Sequence, residues 1–405
     1  MRMIIRISWL NVWRQRVRSL VVITAISLGL WAGLFISAFV RGMMEQKIQN
    51  VIDLELADVQ AHKPGFRDEY LSDMTLPDAA QISAKLRDDK RVRAVTERVL
   101  VNAMVASSNH SGGARVMGVD REDEMKVSIA GAHMKAGSFL EGEHRNPIVI
   151  SARTAEKYKV DLRSKLVLTF QDVNREMTHV AFRVCGIYDS GNPMFDEAHI
   201  YVNKSDLQNH LSIGNNIHEI AAIMYDHNQA ESLAASYAAE FPGSEIMAWL
   251  DLSPGMRFMI TAMDTYMYMI VGIILLALLF SIVNTMLMAV LERARELGML
   301  MAVGMTRTRV FLMIMLETIF LGMAGGPAGL LLAWSTISWF GRHGLNLGSG
   351  AAYGDFGFSN IIYPALDTHS YMEVTFMVLT MSVLAAIYPA WKALQLNPIE
   401  AIRQT

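Results

Sequence analysis

The chain of 405 residues has little of what disulfide-bonded and catalytic proteins need. It contains one cysteine, Cys185, so no disulfide can form within the chain. It lacks a G-x-x-x-x-G-K-S/T phosphate loop, which excludes P-loop binding of ATP, and it also lacks H-E-x-x-H, G-x-S-x-G and paired C-x-x-C motifs. Its 11 histidines lie mostly singly, without the spacing of metal ligands. The sequence therefore predicts no catalytic residue, no metal site and no cofactor bound by this chain.

Charged residues are scarce as well, at 19% of the chain against 52% apolar residues, and the formal net charge is −3. Nothing in this balance suggests nucleic-acid binding. The apolar residues concentrate in four runs, each long enough for a bilayer crossing of about 20 residues. The runs are Leu20 to Val40, Tyr266 to Leu291, Val310 to Phe340 and Tyr371 to Trp391. The sequence therefore predicts an integral membrane protein with one span before a large polar stretch and three spans after it.

Arginines near the N-terminus predict the orientation of these spans. Five of them precede the first run without a single acidic residue, namely Arg2, Arg6, Arg14, Arg16 and Arg18. By the positive-inside rule the N-terminus is cytoplasmic, and four spans return the C-terminus to the same side. We expect the large stretch between the first two spans, and the loop from Gly341 to Ser370, to face outward.

The large stretch is predicted to be a mixed α+β domain. Its strand-like runs are Val99 to Ala106, Arg115 to Val119, Leu166 to Phe170, Val180 to Ile187, His199 to Val202 and Glu219 to Tyr225. Its helix-like runs are Asp78 to Arg87, Ala152 to Tyr158 and Gln229 to Glu240. Strand patterns that resemble one another flank the piece from about 121 to 212, which predicts an insertion there.

A short amphipathic segment, ERARELGMLMAVGMTR from Glu292 to Arg307, lies between the second and third runs. Its arginines, which place it on the cytoplasmic side, are Arg293, Arg295 and Arg307. The apolar residues at helical spacing are Leu297, Leu300 and Val303, and Gly304 follows at the position of a helix C-cap. Two interpretations remain open from these residues: a helix that fits a groove in a partner protein, or an ordinary solvated loop.

Glu317 is the only charged residue in the third run. A carboxylate inside a membrane is a functional candidate. It lies about two turns from the cytoplasmic end of the run, where it can pair with an arginine. We therefore expect a structural hydrogen bond and not a proton relay.

Five segments resemble parts of one protein family. They are ERARELGMLMAVGMTRTRV followed by LETIFLGMAGGPAG, the tail YPAWKALQLNPIEAIR, the start WLNVWRQRVRSLVVITAISLGL, and DVQAHKPGF and GIYDSGNPMFDEAHIYV in the large stretch. Together they resemble FtsX-like permeases, the membrane subunits of ABC transporters of the MacB and Lol type. The match covers nearly the whole chain in the right order. Size and layout are most similar to the lipoprotein-releasing (LolC/LolE) branch.

The resemblance implies a fold and a function. The fold is a multi-pass α-helical membrane protein with four transmembrane helices, arranged one plus three, and a large mixed α+β periplasmic domain. The implied protein is a transporter permease subunit of the bacterial inner membrane, not an enzyme, that works by mechanotransmission to extract lipoproteins. Its implied partners are a cytoplasmic ABC ATPase dimer that binds ATP and Mg, a second permease subunit of the same or a related chain, lipoprotein, a periplasmic carrier and membrane lipids.

The resemblance also implies two sets of site residues. A coupling helix that contacts the ATPase maps onto Glu292 to Gly304, and the residues assigned to coupling are Glu292, Arg293, Arg295, Glu296, Leu297, Gly298, Leu300, Ala302, Gly304 and Arg307. The first and second spans are expected to face the substrate. The residues assigned to that surface are Phe35, Phe39, Met259, Met263, Met267 and Ile270.

These expectations divide the chain into nine parts. They are an interfacial elbow helix (1–18), the first span and stalk (19–56), the periplasmic domain (57–255, with the insertion at 121–212), a stalk and second span (256–291), the coupling helix (292–309), the third span (310–340), a periplasmic loop (341–370), the fourth span (371–391) and a cytoplasmic tail (392–405).

Two other functions are compatible with the same layout. One is export of another amphiphile or a peptide by the same mechanism. The other is a membrane receptor with a periplasmic sensor domain, although each cytoplasmic piece is under about 20 residues, too short for a folded output domain. A membrane-anchored hydrolase would need a nucleophile and a base that the sequence does not display.

Overall fold

A computed structural model of the chain describes residues 2–14, 16–141, 145–347 and 361–395. The described residues form two compact units. The first, here called the span unit, comprises the described residues within Met1–Met44, Thr261–Asn346 and Ile361–Thr405. The second, here called the large domain, comprises those within Glu45–Ile260 and Leu347–Asn360. Each unit has a hydrophobic core of its own.

Helices occupy most of the span unit, and helices and strands alternate in the large domain. The described α-helices are α1 (Arg2–Arg14), α2 (Arg16–Val51), α3 (Phe66–Glu69), α4 (Ala79–Asp88), α5 (Arg121–Val127), α6 (Ala152–Tyr158), α7 (Pro193–Ala198), α8 (Lys204–Leu211), α9 (Ala230–Glu240), α10 (Trp249–Leu252), α11 (Pro254–Glu292), α12 (Ala294–Ala302), α13 (Arg307–His343) and α14 (Thr368–Leu394). A π turn (Ile52–Leu56) follows α2, and 3₁₀ turns occur at Ile129–Ala132 and His227–Gln229.

The described strands are β1 (Val59–His62), β2 (Val92–Ala106), β3 (Ser111–Val119), β4 (Met134–Gly137), β5 (Pro147–Ser151), β6 (Lys165–Gln171), β7 (Met177–Tyr188), β8 (His199–Asn203), β9 (Glu219–Met224), β10 (Glu245–Ala248), β11 (Leu345–Asn346) and β12 (Ile361–Ile362). The first ten form one sheet, and β11 pairs with β12.

Four described helices, α2, α11, α13 and α14, are long and apolar enough to cross a membrane. The prediction of one span followed by three is therefore confirmed. The helices extend past the apolar runs at both ends, and α13 and α14 continue through Pro327 and Pro389.

One face of α2 forms the centre of the span unit. Val22, Ile26, Leu30, Leu34 and Ala38 recur at every fourth residue and are at most 1% exposed. Residues four apart lie on one side of an α-helix, so the spacing gives a continuous apolar stripe. The stripe belongs to the same core as apolar side chains of α11, α13 and α14.

Two pairs of glycines in α13 allow its neighbours to approach closely. A Cβ added at Gly329 would lie 2.8 Å from the carbonyl oxygen of Ser27 in α2. A Cβ added at Gly325 would lie 3.0 Å from the carbonyl oxygen of Ile23 in the same helix. The hydroxyl of Ser27 donates a hydrogen bond of 2.9 Å to the carbonyl of Gly325. Gly322 and Gly326 face α14 instead, with looser contacts. Small residues four apart commonly permit such close helix packing inside membranes.

The sheet of the large domain closes on itself over part of its width. Strand β2 pairs with β3, β3 with β8, β8 with β5, β5 with β7, β7 with β6, and β6 with the end of β2. Inside this ring of six strands Val105, Leu168 and Phe182 are fully buried. The outward positions between them, such as Met104 and Val167, are exposed, as the two-residue period of a strand requires.

Each predicted strand run lies within or against an observed strand, with ends that differ by at most a few residues, except that β2 begins seven residues before the predicted run. The predicted helix runs correspond to α4, α6 and α9. Strands from residues 134–203 extend the sheet beyond β3, whereas β1, β9 and β10 lie on the other side of β2. The interpretation of 121–212 as an insertion stays a prediction.

Candidate functional site

The segment that joins α11 to α13, residues 293–306, contains the short helix α12 and is here called the connecting segment. Gly304 follows the end of α12 with a φ of +104°, a conformation that favours glycine. The N–H of Gly304 donates to the carbonyl of Met301 at 3.1 Å, and the N–H of Met305 donates to that of Leu300 at 2.9 Å. This pair of bonds is the Schellman motif, so the predicted C-cap at Gly304 is confirmed.

The inner face of α12 packs on the chain itself. Leu297 is 2% exposed and belongs to the core of the span unit, beside Met286 and Val290 of α11 and Met313 of α13. Gly298 is also buried, and Leu300 is half-buried. Helical spacing in the sequence places Leu297, Leu300 and Val303 on one apolar face. In the structure they do not share one surface, because Leu297 packs inside this chain.

The outer face of α12 carries both charge and apolar surface. Val303 is 89% exposed and Met299 is 53% exposed. Arg295, Ala302 and Arg307 are exposed around them. Within the described residues, neither Arg295 nor Arg307 forms an ion pair. These five residues are here called the outer face of α12, although Val303 and Arg307 follow the helix itself. They form a basic surface that also carries two exposed apolar side chains.

Arg293 fixes the inner side of the connecting segment through two carboxylates. Its Nε donates to Oε2 of Glu296 at 3.1 Å, and its Nη1 donates to Oε1 of Glu317 in α13 at 3.1 Å. Burial alone would raise the pKa of Glu296, but the bonds from Arg293 and Arg14 hold that pKa below its ordinary value. Glu296 therefore carries its negative charge at neutral pH.

Helix α1 joins the same network. Asn11 donates its side-chain N–H to Oε1 of Glu317 at 2.7 Å, which satisfies the buried carboxylate together with Arg293. Ser8 donates to the carbonyl of Met313 at 3.1 Å. The prediction that Glu317 makes a structural hydrogen bond and pairs with an arginine is confirmed.

Two further ion pairs link helices α1 and α2 to the connecting segment and to the end of α11. Arg14 of α1 pairs with Glu296, and Arg18 of α2 pairs with Glu292, the last residue of α11. Both pairs are more solvent-exposed than the Arg293–Glu317 pair. Water screens both pairs, so we expect each to contribute little to stability. The buried Arg293–Glu317 pair fixes the geometry instead.

The residues assigned to the substrate surface lie partly inside the span unit. Phe35 stacks on Trp31, with ring centroids 5.7 Å apart. It also packs edge-to-face with Phe340 of α13, with ring centroids 6.1 Å apart. Phe39 is half-buried. On α11 the half-buried residues Met259, Met263, Met267 and Ile270 share one side of the helix at a spacing of three to four residues. Their assignment to substrate contact stays a prediction.

Comparison with sequence models of protein families gives two matches that together cover most of the chain. The MacB-like periplasmic core domain matches residues 19–239, more than half of the 405 residues, and the FtsX-like permease C-terminal region matches residues 268–398. The chain belongs to the MacB/FtsX family of ABC transporter permeases. The large domain is the periplasmic domain of that family, and the predicted fold class is confirmed.

Relatives of known name are distant but cover much of the chain. The lipoprotein-releasing system transmembrane protein LolC of Neisseria meningitidis is 22% identical, covering 95% of this chain and 94% of the relative. LolC of Xylella fastidiosa is 20% identical, covering 78% of each chain. The uncharacterized ABC transporter permease YknZ of Bacillus subtilis is 24% identical, covering 98% of each chain.

Among solved structures, the periplasmic region of MacB from Actinobacillus actinomycetemcomitans matches with 15% identity and a TM-score of 0.36, covering 52% of this chain and 98% of that chain.

Sequence reasoning missed the contribution of α1 to this permease's connecting segment. Asn11, Arg14 and Ser8 were not assigned to any site, and Arg14 served only to predict orientation. Asn11 and Glu317 are 306 positions apart, so no local pattern could pair them. The one available signal was Glu317 itself, since a carboxylate in an apolar run requires a partner.

Proposed function

We propose that this permease couples ATP hydrolysis by a separate cytoplasmic ABC ATPase, which binds ATP and Mg, to mechanical work in the periplasm, and that the work is extraction of lipoproteins from the inner membrane. The ATPase binds the outer face of α12. Both termini lie in the cytoplasm, an orientation supported by the arginines that precede the first span. The observation that carries the proposal is the exposed surface of α12 on an otherwise firmly held helix.

The chemistry of the outer face supports a protein partner. Val303 and Met299 present apolar surface between Arg295 and Arg307, which have no carboxylate partner in the described chain. An amphipathic helix with this arrangement fits a groove that has an apolar floor and an acidic rim. Flexible methionine side chains adapt well to such a floor.

The contacts of the inner face support transmission of force. Arg293 joins the start of α12 to Glu317 in α13, and Asn11 of α1 donates to the same buried carboxylate. A buried, hydrogen-bonded charge pair costs several kcal/mol to break, so it holds one geometry. A push on α12 therefore moves α1 and α13 with it instead of bending the connecting segment.

A second permease subunit is supported by an apolar stripe on α11 that the rest of the described chain leaves exposed. Its residues, each more than half exposed, are Tyr266, Met269, Ile273, Leu276 and Phe280. They are separated alternately by three and four residues, the spacing of a coiled-coil seam. A second copy, or a related chain, packs along this stripe.

Lipoprotein cargo is supported by the names of three of the relatives that cover more than three quarters of the chain, LolC of two organisms and LolE of Haemophilus influenzae. Export of another amphiphile by the same mechanism is the alternative, since proteins named macrolide export ATP-binding/permease protein MacB align with about 30% of this chain.

Purification of the tagged chain from its native membrane in mild detergent, followed by mass spectrometry, tests the proposal. An ABC ATPase together with acylated lipoproteins is the expected result. An ATPase without lipoprotein contradicts the cargo and leaves the transporter assignment, whereas an intact complex without an ATPase contradicts the proposal as a whole.

A further inference from the structure

A groove of about 730 Å³ opens in the large domain, within the range of small-molecule sites. Strands β2 and β3 form its floor through residues such as Ala103 and Gly113. Its walls are the π turn after α2, helix α7 and the first turn of α11. Every lining residue belongs to the large domain.

Most of this groove is apolar. Val51 and Leu56 line it from the end of α2 and the π turn, Phe195 lines it from α7, and Leu252 and Met256 line it from α10 and α11. The surface they form is continuous and suits an alkyl chain, because burying each methylene group of such a chain contributes about 0.8 kcal/mol.

Two arginines at the groove have no acidic partner among the residues that the structure describes. The Nε of Arg115 is buried and, within the described residues, has no hydrogen-bond partner. Its guanidinium lies over the ring of Tyr70, 4.0 Å from the centroid. Arg67 donates from Nη1 to the carbonyl of Leu252 at 3.0 Å and, in the described chain, forms no ion pair either. Each guanidinium keeps free donors for an anion.

Nearby charges do not neutralise these two arginines. Arg98, which lies deeper, is already paired with Glu124 and Glu219. Among the described lining residues, Glu55 is the only acidic side chain, against Lys47, Arg67 and Arg115. Burial and the charge of Arg115 lower the pKa of His199 to about 3, so His199 is neutral and the positive charge of the groove comes from its lysine and arginines.

The backbone at the groove is also unusual. The N–H of Ala57 bonds to the carbonyl of Ile52 at 2.8 Å, five residues back, which makes the π turn. Single π turns are rare, and those inside α-helices occur frequently at functional sites. This turn contributes Glu55 and Leu56 to the groove lining.

We propose that the groove binds an anionic amphiphile, namely a single alkyl chain that ends in a carboxylate or a phosphate. The acid group lies between Arg67 and Arg115, where each guanidinium can donate two parallel hydrogen bonds. The alkyl chain of the ligand lies along Val51, Leu56, Phe195 and Met256. An occupant therefore contacts both α2 and α11, the two helices that also form the first and second spans. This site does not depend on the proposed ATPase coupling.

Titration calorimetry of the full chain in phosphatidylcholine nanodiscs tests the proposal without any ATPase. The probes are dodecyl phosphate, dodecanoate, uncharged dodecanol and inorganic phosphate. We expect both anionic probes to bind at least tenfold more tightly than dodecanol, and inorganic phosphate alone to bind weakly. Tighter binding of dodecyl phosphate points to a phospholipid-type ligand, and tighter binding of dodecanoate points to a free fatty acid.

Three variants separate the groove from partition into the lipid. Arg67→Gln/Arg115→Gln is expected to weaken anion binding at least tenfold. Arg93→Gln/Lys165→Gln, which removes two exposed charges elsewhere in the large domain, is expected to leave it unchanged. Gly113→Trp fills the groove from a position where a Cβ meets nothing within 4 Å, and so tests the site even if the arginine variant fails to fold.

Equal affinity of all these proteins for the anionic probes would mean lipid partition only and would overturn the proposal. The proposal would also be overturned if the wild-type protein bound dodecanol as tightly as the anionic probes. It would equally be overturned if inorganic phosphate alone bound as tightly as dodecyl phosphate.

Discussion

Arg293 and Glu317 form an ion pair that joins the connecting segment to the interior of the third span. Their side chains are each 12% exposed, and Nη1 of Arg293 lies 3.1 Å from Oε1 of Glu317. Asn11 of α1 donates to the same oxygen at 2.7 Å. Helices α1 and α13 and the connecting segment therefore meet at a single carboxylate.

Replacing Arg293 by methionine is predicted to destabilise the span unit by about 3 kcal/mol, because it leaves the carboxylate of Glu317 buried with Asn11 alone. The double variant Arg293→Met/Glu317→Leu, which removes both charges, is predicted to recover most of that loss. Thermal unfolding in detergent measures both. If the double variant is no more stable than the single one, the two side chains do not act as a pair.

Gly329→Ala is predicted to destabilise the span unit by about 1–3 kcal/mol, because the added methyl group meets the carbonyl of Ser27 at 2.8 Å and the packed helices must move apart. Gly326→Ala is the matched control. Its methyl group would make only an ordinary contact of 3.5 Å with Leu379, and alanine favours a helix over glycine by up to about 1 kcal/mol. Melting temperatures that shift in opposite directions support this packing, and equal shifts contradict it.

Arg98 is predicted to be essential for the stability of the large domain. It donates to both oxygens of Glu124 at 2.7 and 3.0 Å and to Glu219 at 3.1 Å, and it is fully buried. Arg98→Met would leave two carboxylates buried without their partner, at a cost of about 3–5 kcal/mol. Hydrogen exchange of β2 in the full chain should rise accordingly.

The control for this change is Arg98→Met combined with Glu124→Gln and Glu219→Gln, which removes the stranded charges. Exchange of β2 in the triple variant should return part of the way to the wild-type rate. An Arg98→Met variant with wild-type exchange would show that the buried pair adds nothing.

Asp89 is predicted to give the large domain a stability that depends on pH. Hydrogen bonds from the guanidinium of Arg91, at 2.7 and 3.0 Å, hold the pKa of Asp89 at about 2, below its ordinary value of 3.8. A carboxyl whose pKa is lowered by folding stabilises the fold above its unfolded pKa. That contribution is lost as the pH falls from about 4 through 2.

Asp89→Asn should therefore lower the free energy of unfolding at pH 7 but not at pH 2. Denaturant titrations at pH 7, 4 and 2 measure this difference, with Asp88→Asn, at the exposed neighbouring position, as the control. A deficit of Asp89→Asn that is the same at every pH would contradict the assignment.

Much of the fold could be predicted because its signals are local. The four apolar runs identify the spans, and the two-residue period identifies strands such as β6, where Leu166 and Leu168 are buried and Val167 is exposed. The closure of the sheet through the pairing of Val105 with Leu168 could not be predicted, because those residues are 63 positions apart in the sequence of a mixed sheet.

The position of α12 was predicted from the sequence, whereas its packing was not. Helical spacing and Gly304 located α12 correctly, since both are local features. Which side of α12 faces a partner depends on what covers the other side, and that is decided by Met313 and Glu317 in another helix. Leu297, which the sequence places with the partner surface, is consequently internal. Gly298 is also buried, so a bulky residue there would test folding more than ATPase binding.

The central claim is that an ABC ATPase binds the outer face of α12, and the most direct measurement is the amount of ATPase that copurifies with the chain, quantified by mass spectrometry. Arg295→Glu and Val303→Asp change exposed side chains of that face, and Arg342→Glu makes the same charge change as the first at the opposite end of α13. The account predicts at least tenfold less ATPase with the first two variants and a wild-type amount with the third. Wild-type amounts with all three variants would contradict it.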